Sequence, residues 1–375
     1  MVKIAFDAKR AFNNATGLGN YSRFVITNLL QHFPKNQYIL FTPKQNVGLL
    51  NRSGFKKVVN GEGINIVQPE NLFSKRFHSL WRTYSIAGLV GHNKPNVFHG
   101  LSNELPVGID KTGAKTIVTI HDLIFMRHPE YYGRADKLIY ERKTRSACEL
   151  ADLVLATSDQ TKQDLIHFLR IPEKKIQVAY QDCHELFYDE KNNVLTKILL
   201  DKYQIETPYI FCVSKLDKRK NHLNLVKAFI SIEAKIPHTL ILVGADGDAT
   251  SDIELSIKKH RIRRLPNVPL EELPYLYDGA DFSVYPSRFE GFGIPLLESL
   301  RRGKSVVSSK GSCFEEVAGG AGLYANADEP DEMAESLLKL SDANSRLGFE
   351  TNIETVLKRF DRKLLADELM EVYKC

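Results

Sequence analysis

Apolar runs of strand length recur along this chain, separated by stretches with helical spacing, and the whole rhythm plays twice. In the first half the runs are VKIAFDA (2–8), QYILFTP (37–43), INIVQP (64–69), NVFHG (96–100), KTIVTIHD (115–122), DLVLATS (152–158) and IQVAY (176–180). They are rich in Val and Ile and continuous rather than alternating, which suits parallel strands covered on both faces. Helices are expected between them over 20–33, 73–92, 134–151 and 160–169. A loop-like stretch follows. The alternation then restarts with YIFCVSK (209–215), a helix over 222–235, TLILVGA (239–245), a helix over 251–261, DFSVYPS (281–287), SVVSSK (305–310) and GLYAN (322–326). Strands alternating with helices predict doubly wound α/β domains. At 375 residues, two cores are natural and one is improbable. The expectation is two tandem Rossmann-like domains facing across a cleft, with ligands at the carboxyl ends of the strands. Their boundary should fall between about 185 and 207, and is set at 1–190 and 191–359. The last segment, RKLLADELMEVYKC, reads as a helix that could pack on either domain.

Charge and cysteine usage narrow the function classes. The net charge is only +5, from 51 Lys and Arg against 46 Asp and Glu. That suits a phosphate-bearing ligand or an anionic membrane surface and is too weak to argue for nucleic acid. The cysteines (Cys148, Cys183, Cys212, Cys313 and Cys375) are odd in number and form no CxxC pair, so reduced thiols are expected, with neither a disulfide frame nor a zinc site. No apolar run reaches the roughly 18 residues of a spanning helix. MVKIAFDAKR leads straight into a strand pattern, unlike a signal peptide. A cytoplasmic protein is expected.

Several loops could carry chemistry. In FEGFGIPLLESL (289–300), Glu290 and Glu298 flank two glycines and a proline. Gly291 and Gly293 disfavour a continuous helix, so the reading is strand, loop, helix, with Pro295 as the first helical residue and Gly303 closing the helix. Glu298 would sit in the first turn, beside a helix N-terminus that attracts anions. VSKLDKRKN (213–221) gathers Lys215, Lys218, Arg219 and Lys220 between a strand and a helix. A solvated basic turn is the competing reading. Together the two loops could hold a diphosphate on cations while the carboxylates take hydroxyls, as a nucleotide sugar requires. TGLGNYSR (16–23) brings Gly17 and Gly19 to a helix start, but without GxGxxG or an acid ending the second strand a dinucleotide site is disfavoured. TIHDLIF (119–125) ends a strand on His121 and Asp122, a pair suited to proton handling or hydroxyl binding; His99 has a similar position. FSKRFHSLWRTY (73–84) places Phe73, Phe77, Leu80, Trp81 and Tyr84 on one stripe, with Lys75, Arg76 and Arg82 off it. It would either touch a membrane or pack on its own sheet. GxxxxGK[ST], HExxH and GxSxG are not present.

At this point the chain resembles the group 1 retaining glycosyltransferases of the GT-B fold. LPYLYDGADFSVYPSRFEGFGIPLLESLRRGKSVVSS is similar to their donor-site block with its E-x7-E motif, and EEVAGGAGLYANADEPDEMAESL continues it. GLGNYSR, VTIHDLIF, ADLVLATSDQTKQDLI and VSKLDKRKN resemble the remaining landmarks in the expected order. The resemblance implies an acceptor-side domain over 1–190, joined by a helix at 360–375 that crosses back to it, and a donor domain over 191–359. It implies catalytic roles for His121, Lys215, Lys220 and Glu290. Glu290 would contact the transferred sugar, the two lysines the departing diphosphate, and His121 the reacting sugar. Donor binding would involve Gly17, Gly19, Arg219, Phe292, Gly293 and Glu298, the last on the ribose. Glu316 occupies a further family position. No cofactor or metal is implied. Retention without an evident nucleophile implies front-face attack, the leaving phosphate taking the acceptor's proton.

The implied function is transfer of a sugar from a UDP- or GDP-linked donor to a glycan or lipid-linked acceptor in surface polysaccharide biosynthesis, at the inner membrane face. TIHDLIF and GLGNYSR are similar to members that use mannose-type donors. The chain departs from the family at Ser214 and Lys215, usually Gly and Arg, at Lys304 and Ser305, and at QDCHELF (181–187). Two alternatives stand beside transfer: a GT-B nucleotide-sugar epimerase, and a non-catalytic nucleotide-sugar-binding relative.

Overall fold

Residues 1–70 and 76–374 are described by a computed structural model. The chain separates into two compact units, residues 1–182 with 360–375, and residues 183–359. In the first unit, β1 (Lys3–Asp7), β2 (Gln37–Phe41), β3 (Ile64–Val67), β4 (Val97–Gly100), β5 (Lys115–Ile120), β6 (Leu153–Ala156) and β7 (Ile176–Val178) form a parallel sheet. Its order is β3-β2-β1-β4-β5-β6-β7. Side chains alternate across it. Ile4 and Phe6 meet Val25, Ile26 and Leu29 of the helix Gly17–His32, while Ala5, Ile39 and Phe98 meet Trp81, Ile86 and Val90. Burial on both faces is why these strands read as unbroken apolar runs.

The second unit repeats the plan with β8 (Tyr209–Val213), β9 (Thr239–Val243), β10 (Ile262–Leu265), β11 (Phe282–Tyr285), β12 (Val306–Ser309) and β13 (Gly322–Ala325), in the order β10-β9-β8-β11-β12-β13. Ile210, Leu240, Phe282 and Val284 pack on Leu225, Phe229 and Ile232 of the helix His222–Ile232. Full burial of each such side chain contributes about 1.5–3 kcal/mol. The fold is GT-B: two Rossmann-like parallel-sheet units and a closing helix, Arg362–Lys374, that belongs to the first. Tyr373 of that helix joins its hydroxyl to His99 Nδ1 (2.6 Å), and Lys115 Nζ donates to the Val372 carbonyl (2.6 Å). At its start, Arg362 Nε donates to Asp182 Oδ2 at 3.0 Å.

Some expectations need correction. Residues 183–190 go with the second unit, because Phe187 is buried beside the Tyr277 ring (centroids 5.8 Å apart) and Arg302 Nη1 donates to the carbonyls of Phe187 (3.3 Å) and Asp189 (2.5 Å). The stretch read as loop-like contains the helix Asn193–Lys202, capped by Asn192 Oδ1 accepting from Leu195 N (3.0 Å). The helix expected over 251–261 stops at Ile257, and β10 follows where no strand was expected.

Residues 73–75 of the aromatic stretch lie outside the described residues. From His78 onward it is helical, with a π-type turn at Trp81–Ser85 before Ile86–Asn93. That wider turn breaks the expected single stripe. Trp81 is buried, Phe77, Leu80 and Tyr84 are exposed, and Arg82, expected off the stripe, is buried against Asp7 at 2.5 Å. Cys148, Cys183, Cys212 and Cys313 are buried, and none of them is in a disulfide among the described residues. Among the described residues no helix is long and apolar enough to cross a membrane, and no cluster of three or more His, Cys, Asp or Glu is placed to hold a metal ion.

Candidate functional site

Each sheet reverses its direction of winding once, between β1 and β4 and between β8 and β11. Doubly wound sheets open a crevice there, beyond the carboxyl ends of the strands. In the second unit the loops leaving β8 and β11 hold VSKLDKRKN and the FEGFG stretch, so topology alone brings the two basic and acidic loops together. The first of these loops makes a 3-10 turn, Lys218–Lys220, ended by Asn221 at φ +60°. Asn is among the few side chains that adopt this region readily. The Asn221 amide donates to the Ala327 carbonyl (2.7 Å), and Lys218 N donates to Asp248 Oδ1 (2.7 Å), pinning both ends of the turn.

That turn selects which cations reach the carboxylate. Lys220 Nζ lies 2.5 Å and Arg219 Nη1 2.6 Å from Glu290 Oε1, and Ser287 Oγ donates to the same oxygen at 2.5 Å. Lys220 also donates to the Tyr285 hydroxyl (2.7 Å). Burial works against the Glu290 charge, but Lys220 and Arg219 more than offset it and hold its pKa at about 2. Burial lowers the pKa of Lys220, with Glu290 opposing. A third loop supports the second: Ser312 Oγ donates to the Glu290 carbonyl (2.7 Å) and accepts from Glu290 N (3.1 Å). Lys215 is not part of this cluster. Its side chain is exposed and pairs with Asp217 at 2.9 Å. Ser214, at the other departure from the family, joins His222 Nε2 at 3.0 Å.

The helix after Glu290 runs Ile294–Arg301, so Pro295 is its second residue and Glu298 its fifth, one residue further in than expected. Gly293 caps it at φ +92°, a conformation open to glycine, where an added Cβ would also come within 2.9 Å of Leu296 Cδ1. Gly303 follows the helix at φ +73° as a closing residue. Phe292 is buried. Glu298 is 8% exposed, and among the described residues its carboxylate meets only the Tyr277 hydroxyl, 3.3 Å from Oε2. With so little compensation, burial pushes its pKa up to about 7. Glu316 lies on the short helix Phe314–Ala318.

Ser287, Tyr285, Ser312 and Tyr277 were not singled out in the sequence. Serines and tyrosines give no local signal of this kind, except that Ser312 follows Gly311 between an expected strand and a helix.

In the first unit, His121 follows β5 and is buried, with the Tyr21 ring edge-on at 4.6 Å. Its Nε2 donates to the Leu101 carbonyl (2.9 Å), which leaves Nδ1 as the acceptor nitrogen. Burial lowers its pKa to about 4, so the ring is neutral at pH 7. His99 is structural: its Nε2 joins Thr119 Oγ1 (2.8 Å) and its Nδ1 the closing helix.

The two glycines at the start of Gly17–His32 differ in kind. A Cβ on Gly17 meets nothing within 4 Å, whereas one on Gly19 would lie 1.8 Å from the Asn14 carbonyl oxygen. Gly19→Ala is therefore expected to destabilise the protein by about 1–3 kcal/mol through overpacking, and Gly17→Ala to stay within about 0.5 kcal/mol. Denaturant melts of the two variants check this; equal stabilities would refute the packing account of Gly19.

Comparison with known proteins bears on the family and the fold. The family described as glycosyl transferases group 1 matches residues 207–343, and glycosyltransferase family 4 matches residues 23–181. The chain is 27% identical over 349 residues to the O-antigen chain mannosyltransferase B of Escherichia coli, covering 90% of each. It is 27% identical over 227 residues to an N-acetylgalactosaminyltransferase of Campylobacter jejuni, named for a diphospho-undecaprenol-linked acceptor, covering 59% of this chain and 60% of that one. Among solved structures, HepE of Anabaena, in complex with UDP-glucose, superposes over the full length of both chains with a TM-score of 0.73 at 17% identity.

Proposed function

The chain belongs to the group 1 glycosyltransferases, and from that membership we propose that it moves a hexose, with retention of configuration, from a nucleoside diphosphate sugar to a lipid-linked glycan. The observation that carries the donor reading is the convergence of Arg219 and Lys220 on Glu290 where the β8 and β11 loops meet. Cleaving a sugar–phosphate bond leaves negative charge on the diphosphate, and cations already in place stabilise it without reorganisation. Lys220 has three N–H donors, and two have protein partners, so one is left for a phosphate oxygen. Arg219, Lys220 and Ser287 all meet the Glu290 carboxylate at Oε1, and Oε2 would take a hydroxyl of the transferred sugar. Arg219 replaces Lys215 as the partner of Lys220 in this reading.

Glu298 would accept from the ribose hydroxyls, and in the first unit His121 offers Nδ1 of a neutral imidazole to a sugar hydroxyl. The acceptor's proton would pass to the leaving phosphate by front-face attack. Two relatives inform the substrates: the one matched over 90% of its length is named a mannosyltransferase, and another is named for an undecaprenol-linked acceptor. Mannose on GDP or UDP is therefore the first donor to try. An undecaprenol-linked acceptor would place the enzyme at the cytoplasmic face of the membrane.

Thermal melts with UDP, GDP, ADP, their sugar conjugates and NAD test the donor class. A ligand at about 100 times its dissociation constant adds about 2.7 kcal/mol, or about 5–11 °C for a unit of this size. One of UDP or GDP is expected to give that shift and Glu298→Ala to lose it. Product analysis with the matching sugar conjugate and a lipid-linked glycan then separates transfer from epimerisation. No shift with any nucleotide and no product would overturn the proposal.

A further inference from the structure

His121 is held in two separable ways. Its backbone is fixed by the side chains around it: Asn103 Oδ1 accepts from its N–H (2.9 Å), and the hydroxyls of Thr157 (2.8 Å) and Thr161 (3.2 Å) donate to its carbonyl. The orientation of its ring is set by other contacts, the Leu101 carbonyl at Nε2 and the Tyr21 ring, which stands edge-on at 89°. A single hydrogen bond leaves an imidazole able to tip about its own N–H···O axis, because acceptor directions at a carbonyl are broad. The Tyr21 ring blocks that motion.

Tyr21 is in turn anchored from the far end of the chain. Its hydroxyl lies 2.8 Å from Thr119 Oγ1, that oxygen lies 2.8 Å from His99 Nε2, and His99 Nδ1 lies 2.6 Å from the Tyr373 hydroxyl on the closing helix. Thr119 and His121 are two residues apart at the end of β5 and so turn to one side of the sheet. Tyr21 spans both, with its hydroxyl on the first and its ring on the second. Tyr21, Thr119, His99 and Tyr373 are all buried, so water does not compete for these bonds. Burial lowers the pKa of His99 to about 3, and a neutral imidazole donates at one nitrogen and accepts at the other. Losing the partner at Nδ1 therefore changes what Nε2 can offer Thr119, and the links respond together.

We propose that Tyr373 is a positioning residue for His121, acting through His99, Thr119 and Tyr21, so that the seating of the closing helix fixes the angle at which that imidazole presents Nδ1. None of the four links touches the substrate. The inference rests on the reading of His121 as a group that binds a sugar hydroxyl, and the test separates the two.

NMR of the full chain carrying isotopically labelled histidine is the first measurement, with the His121 ring signals assigned by their loss in His121→Gln. Tyr373→Phe and Tyr21→Phe each delete one hydroxyl and keep the ring. Both are expected to shift the His121 signals, because the imidazole changes its angle to the neighbouring aromatic ring. Tyr38→Phe is the control: it deletes another buried hydroxyl of the same core, one that donates to the carbonyls of Leu29 (3.0 Å) and Phe33 (2.9 Å). It should lower the melting midpoint and leave the His121 signals in place. In sugar transfer, Tyr373→Phe should lower kcat about three- to tenfold, the size of one net hydrogen bond, with the donor KM unchanged. In a His121→Gln background the same substitution should have no further effect, since residues that act through one group are not additive. His121 signals that ignore both tyrosine variants, or that move as far in Tyr38→Phe, would overturn the proposal. So would a loss of kcat in Tyr373→Phe that persists undiminished without His121. Full turnover by His121→Gln would defeat the sugar-binding reading of His121 instead, and the shifts of its ring signals would still establish that Tyr373 positions it.

Discussion

Lys220→Ala is expected to lower kcat with the sugar donor by about a hundred- to a thousand-fold, the range set by removing one preorganised donor from a developing negative charge. Lys220 sits where that loss is greatest. Its ammonium is buried, steadied by the Tyr285 hydroxyl and Glu290, and has one N–H to give. The fold should survive the change, because Arg219 and Ser287 continue to hold Glu290 Oε1. Lys215→Ala is the informative companion. That side chain is exposed and paired with Asp217, so its removal should change kcat by less than about threefold, as for exposed ion pairs. Steady-state kinetics of the two variants, with melting curves to verify folding, make the comparison. Near wild-type turnover by Lys220→Ala would remove the diphosphate assignment. A large loss in Lys215→Ala would mean that the loop rearranges to bring the other lysine in.

The second large effect has opposite signs for stability and for binding. In the folded chain Glu298 keeps its proton up to a pKa of about 7, against an ordinary value of 4.5. Between those values the unfolded chain has lost a proton that the folded chain retains. Stability from this group therefore falls as pH rises through that window, and above pH 7 the full penalty applies, on the order of 3 kcal/mol. Glu298→Gln removes the ionisation. The variant should melt higher than the wild type at pH 8 by about 6–12 °C, and the gap should close by pH 4.5. Nucleotide affinity should move the other way, weakening about tenfold or more as a charged acceptor is lost. Melting midpoints from pH 4.5 to 8.5 and a nucleotide titration give both numbers. Parallel pH curves for the two proteins would show that Glu298 is not the group responsible.

What the sequence made legible follows from which signals are local. β1 and β8 were readable because strands buried on both faces must be apolar at every position. β10 was not, because it is an edge strand: Arg263 and Arg264 interrupt its apolar run and reach out to the Gln204 carbonyl and to Asp246 and Glu254. Glu290 and Glu298 stood out through the glycines and proline between them. The choice between Lys215 and Arg219 as partner to Lys220 could not be read, since it depends on a 3-10 turn closed by Asn221 in the left-handed region. Ser287 and Ser312 act through loops that only the strand order brings together. Gly17 and Gly19 look alike in sequence, and only the Asn14 carbonyl tells them apart.

The closing helix Arg362–Lys374 has a consequence for the order of events on the ribosome. The first unit is not finished when its first 182 residues have been made, because Met370, Val372 and Tyr373 belong to its core. The second unit, 183–359, is continuous and emerges before those residues exist. Vectorial synthesis ordinarily lets an amino-terminal domain fold first; in this chain the nested unit can complete itself while the enclosing one still exposes an apolar groove. A nascent chain arrested late in synthesis would thus carry a mature second unit and an immature first one, and it is the early-made half that would call on a chaperone.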